Sequence, residues 1–114
     1  MTIQSFEDIK AWQEARLLSV DIYTLFKNNK DYGFRDQIQR ASVSIMNNIA
    51  EGFERRSNKE LKQFLYIAKG SCGEVRSMIR LAESLQYIIP INAEEKINQA
   101  TQISKMLSGF IKKL

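Results

Sequence analysis

The sequence predicts an all-α fold, an antiparallel up-down-up-down four-helix bundle, on three observations. Apolar residues recur at helical spacing in four long segments. Short stretches rich in turn and capping residues separate those segments. One proline and five glycines in 114 residues leave little to interrupt a helix. That length suits a single domain, 1–114, with one core and no need of staples.

The first helix is expected from a cap at Ser5, with Asp8 three residues on, to about Asn28. Ile9, Trp12, Ala15, Ile22, Leu25 and Phe26 share one wide face, with Lys10, Glu14 and Asp21 opposite. Leu17 and Val20 fall outside that stripe, as scattered surface apolars or as part of a second contact. NNKDYG then reads as a turn, and the second helix is predicted over about Phe34–Glu54.

At about 100° per residue, this second helix carries two apolar stripes. Phe34, Ile38, Ala41, Ile45, Ile49 and Gly52 form one, and Val43, Met46, Ala50 and Phe53 form the other, roughly opposite. Between them runs a polar stripe of Gln37, Arg40, Ser44, Asn48, Glu51 and Arg55. A helix with two apolar faces needs two partners, so Val43, Met46, Ala50 and Phe53 are expected to meet another copy of the chain.

Ser57 with Glu60 is a capping-box pair that opens a third helix, to about Gln86. Its core arc is Leu61, Phe64, Leu65, Ala68, Cys72, Val75, Ile79 and Ala82. Gly70, Gly73 and Ser77 gather on another side, where glycines suggest close backbone approach. Pro90 ends the last connection, and Asn92 with Glu95 predicts the cap of a fourth helix running to the C-terminus. That helix buries Ile97, Ala100, Ile103, Met106, Leu107, Phe110, Ile111 and Leu114, with Lys105, Lys112 and Lys113 on its outer face.

Composition narrows the chemistry. With no histidine there is no imidazole for a nucleophile pair, a neutral-pH proton shuttle or the Glu-x-x-His metal pattern of bundle enzymes. Glu51 and Glu74, on adjacent helices, are the two carboxylates placed for acid–base work. The competing reading is a structural network of Arg40, Ser44, Asn48, Glu51 and Glu74, with Glu51 paired to Arg40 or Arg55, and it is preferred. Cys72, the lone cysteine, reads as a small buried hydrophobe and Trp12 as a core anchor. No catalytic residue, metal or cofactor is expected. A single cysteine, no basic-then-apolar leader and no long apolar run make a cytoplasmic protein without membrane contact the expectation.

The net charge of +4 is localised. Arg35 to Arg80 holds nine basic residues (35, 40, 55, 56, 59, 62, 69, 76, 80) against five acidic (36, 51, 54, 60, 74), so the whole surplus sits on the second and third helices. Lys62, Lys69 and Arg76 recur every seventh residue, with Arg80 beside them and Arg55, Arg56 and Lys59 extending the row. Steps of about 10 Å along one flank suit successive phosphates without sequence reading. The same row also reads as the solvated face of an amphipathic helix, with only Tyr66 nearby to stack on a base.

Gln37, Arg40, Ser44, the run Asn48-Ile49-Ala50-Glu51-Gly52, Arg55-Arg56-Ser57, Phe64, Ala68, Gly70-Ser71 and Glu74 carry a family look. The chain resembles, from Phe6 onward, the small four-helix bundle proteins encoded in intervening sequences of bacterial 23S rRNA genes. One departure stands out: Met46 occupies a position where members often have proline before the asparagine pair. The resemblance implies ring-shaped homo-oligomers, commonly pentamers. Retroelement accessory variability proteins look like distant cousins, with basic pentameric barrels that bind nucleic acid and a reverse transcriptase. The expected function is therefore a non-enzymatic homo-oligomer that binds RNA or DNA, or a ribonucleoprotein, nonspecifically through the basic row. The alternative is an oligomeric scaffold that binds another protein and no nucleic acid.

Overall fold

The helices begin and end where local chemistry allows. The computed structural model describes residues 3–114, with a 3-10 turn at Phe6–Asp8 followed by α1 (Lys10–Phe26), α2 (Tyr32–Phe53), α3 (Asn58–Ser84) and α4 (Pro90–Lys112). Neighbours in sequence are neighbours in space, and α4 closes back onto α1. α1 therefore lies diagonally from α3, and α2 from α4. With short connections at 27–31, 54–57 and 85–89, consecutive helices run antiparallel, giving a body 43 Å long and about half as wide.

Two expected starts are corrected. Ser5 and Asp8 do form a reciprocal capping box, but it caps the separate 3-10 turn. Ile9 then adopts an extended backbone, at φ −79° and ψ 120°, before α1 begins. This break buries Ile9 and sets Phe6 edge-on to Trp12, with ring centroids 5.1 Å apart. At α4 the expected Asn92 cap is not used. Pro90 is itself the first helical residue, where its fixed φ suits the helix and its missing N–H costs nothing, and Ile89 precedes it without a side-chain cap. By contrast, Ser57 caps α3 as predicted, accepting from the Glu60 amide at 3.2 Å.

α3 ends in a Schellman turn. The Tyr87 amide donates to Ala82 O at 2.8 Å and the Gln86 amide to Glu83 O at 3.1 Å, with Gln86 at φ 61°. Glutamine holds this left-handed position because the next residue is anchored. The Tyr87 hydroxyl donates to Asp31 at 2.8 Å, and its ring stacks edge-on against Phe34, which meets Phe26 in turn.

The core is one hydrophobic cluster built from all four helices, with Leu18, Ile22, Ile38, Ile45, Ile49, Leu65, Ile79, Ile103 and Leu107 almost wholly removed from water. α2 is unbroken through Met46, as a residue with an amide N–H permits. Asp21 does not line an outer face. It accepts at 2.8 Å from Lys96, which is 5% exposed on α4 and also donates to Glu95 and Gln99. All three ammonium protons are thus placed, which makes the buried charge tolerable and pins α1 to α4. Burial alone would lower the pKa of Lys96, but the hydrogen bonds it donates to Asp21 and Glu95 outweigh that and raise the value.

Glycine spacing also reads differently in three dimensions. The close approach is at Gly52, where a Cβ would stand 2.7 Å from Phe64 Cβ and 3.0 Å from Leu61 Cδ1. At Gly70 and Gly73 a Cβ would meet nothing within 4 Å.

Candidate nucleic-acid interface

The polar stripe of α2 is divided rather than continuous. Asn48 Nδ2 donates to Ser44 O at 2.8 Å and to Ser44 Oγ at 3.0 Å, and Ser71 Oγ donates across to Ser44 at 2.9 Å. This knot ties α2 to α3, and Ser71 is the member that sequence reading missed. Glu74 is exposed and accepts from Gln37 at 3.3 Å. Arg40 and Glu51, also exposed, form no ion pair among the described residues, so the expected Glu51 pairing with Arg40 or Arg55 is absent. The guanidinium of Arg55 lies instead over the Phe64 ring, 4.8 Å from its centroid.

The two candidate acid–base residues are far apart. Gln37 marks the level of Glu74 on α2, and Glu51 lies about 21 Å further along that helix at 1.5 Å per residue. They do not face one substrate.

The second apolar stripe of α2 is partly covered. Met46, Ala50 and Phe53 pack at the edge of the core, and Val43 is half-buried. Phe6 of the 3-10 turn borders the same shallow depression as Ala50, Glu51, Glu54 and Arg55. The break at Ile9, invisible in the periodicity, supplies a partner from within the chain. The large apolar side chains of α1 that stay exposed are Leu17, Val20 and Tyr23, at 55%, 56% and 45%.

The basic row is held by the flank of α3 that faces α4. Gly73, Arg76, Ser77 and Arg80 line an open depression together with Ile97 and Thr101 of α4. Arg56, Lys59 and Arg76 are exposed, Lys62 and Lys69 half-buried, and none of the five is in an ion pair among the described residues. Arg80 differs. It donates to Glu94 at 2.7 Å and to Glu83 at 3.1 Å, so its charge is already matched.

The row borders the core at Cys72, which is wholly buried. Burial pushes the Cys72 thiol from 9.0 up to about 12, against a smaller downward pull from Arg76 and Lys69. The thiol is therefore neutral and unreactive at neutral pH. Native protein at pH 8 is expected to react with a soluble disulfide reagent only at its unfolding rate, and denatured protein at once; rapid reaction of the native form would contradict this burial. Since the folded value is the higher one, the contribution of this thiol to stability is fully present below pH 9 and is lost as pH rises towards 12.

Residues 7–109 match the family model described as 23S rRNA-intervening sequence protein. A solved protein of unknown function from the S23 ribosomal protein family of Bacteroides thetaiotaomicron is similar at 26% identity and a TM-score of 0.84, covering 90% of this chain and 98% of its own. No curated protein matches.

Proposed function

The chain belongs to the 23S rRNA-intervening sequence protein family, and we propose that it acts there as a non-enzymatic, homo-oligomeric module that binds nucleic acid without reading sequence. The observation that carries this reading is the flank of α3, where Lys59, Lys62, Lys69 and Arg76 stand without acidic partners among the described residues. Such charges release counterions on meeting phosphates, which supplies affinity without base contacts. Arg55 and Arg56 extend the surface at the start of α3, and Arg80 closes it at the other end in its ion pair with Glu94.

Self-association strengthens a weak site, because copies held together raise the effective concentration of each row. Leu17, Val20 and Tyr23 on α1 support such a contact, and Val43, Met46, Ala50 and Phe53, partly buried within the chain, offer it less free apolar surface. A ring such as a pentamer fits this reading. The same α1 apolars favour the second reading, a scaffold that binds another protein.

Gel-shift binding to RNA and DNA at low salt, with the mass of the same sample from light scattering, tests the proposal. Binding by an oligomer is expected. A folded oligomer that binds neither polymer at low salt would overturn the nucleic-acid reading and leave the scaffold.

A further inference from the structure

We infer that the site is a groove shared by α3 and α4 and that its ligand is a single-stranded polynucleotide, a deepening that rests on the nucleic-acid reading above. Register places the second wall. Arg80 of α3 meets Glu94 of α4, and Gly73 shares a depression with Thr101. The two helices run antiparallel with equal rise, so a step towards the start of α3 is matched by an equal step towards the end of α4. Lys69 is then level with Lys105, and Lys62 with Lys112.

Lys105 and Lys112 are on the correct side of α4. They follow Glu94 and Thr101 along one flank at helical spacing, and both are exposed. Sequence reading assigned them to a generic outer face, because only the Arg80–Glu94 pair shows which neighbour that face adjoins. Residues 61–73 and 96–114 contain no aspartate or glutamate. Glu74, between Lys69 and Arg76 in sequence, is turned towards α2, where it accepts from Gln37. Lys62, Lys69 and Arg76 on one wall and Lys105 and Lys112 on the other thus form a track that rises in steps of about 10 Å.

Tyr66 selects the strand form. It is 59% exposed and stands one helical turn from Lys62 and from Lys69. An aromatic face beside a positive groove is a stacking platform for an unpaired base, and a duplex offers it no free base face along its length. Gly70, one turn on, would set even a Cβ in open space, so no side chain walls off the surface next to the ring.

Fluorescence anisotropy with a labelled 20-nucleotide single strand, as RNA and as DNA, and with the matching blunt duplexes, tests this. Tighter binding of single strands is expected, with the RNA and DNA arms showing whether the sugar matters. Tyr66→Ala should weaken single-strand binding about tenfold, Tyr66→Phe should restore it, and neither should change duplex binding. Lys105→Ala with Lys112→Ala should lower the salt slope by about 1.4 per engaged subunit. Equal or tighter duplex binding that ignores Tyr66→Ala overturns the single-strand assignment, and a double lysine variant with an unchanged slope overturns the second wall. Both results leave the α3 reading standing, whereas no binding of any polymer removes that reading itself.

Discussion

Gly52→Val is expected to lower the stability of the bundle by about 3 kcal/mol, the upper end of what overpacking costs. The Cβ it introduces falls 2.7 Å from Phe64 Cβ and 3.0 Å from Leu61 Cδ1, with the Leu61 carbonyl oxygen at 3.4 Å. Phe64 Cβ is fixed to the α3 backbone, so a rotamer change cannot relieve that contact. Relief requires α2 and α3 to separate where the chain has just turned between them. Branching at valine adds two methyl groups in the same confined space. Gly70→Ala is the control: it replaces a glycine in the middle of α3 where a Cβ meets nothing within 4 Å, so it should stabilise by up to about 1 kcal/mol. Urea unfolding of the two variants reads both signs, and a Gly52→Val midpoint equal to wild type would contradict the packing described here.

The largest functional effect is expected from Lys62→Ala, Lys69→Ala and Arg76→Ala combined. These side chains carry no ion pair among the described residues, so removing them leaves no orphaned carboxylate and the fold should survive. If each phosphate contact contributes about 1 kcal/mol at low salt, as for an exposed ion pair, binding weakens about hundredfold. Arg80→Ala should do less, because its guanidinium is already held by Glu83 and Glu94. A gel shift at low salt checks the ranking.

Periodicity and capping residues made most of the fold legible. The four amphipathic segments, the Ser57 cap and the buried Cys72 follow from local spacing, and spacing is what determines a helix face. Ile9 was not legible as a break, because an apolar residue at that position suits a helix as well as a bent entry, and only the burial of Ile9 and the packing of Phe6 against Trp12 decide. The same limit applied to Met46, Ala50 and Phe53, whose partner within the chain depends on that break. For the candidate site, the α3 row was visible as a seven-residue repeat. Which of its charges are already matched was not, since Glu94 lies in a different helix from Arg80 and the pairing depends on register.

The most direct test of the central proposal is the slope of log binding constant against log salt concentration for wild type and for the Lys62, Lys69 and Arg76 triple alanine variant, on one single-stranded oligonucleotide. Three lost phosphate contacts predict a slope shallower by about 2 per engaged subunit, with oligomer mass and helical content unchanged. An unchanged slope from a folded variant of unchanged mass would contradict phosphate binding by α3.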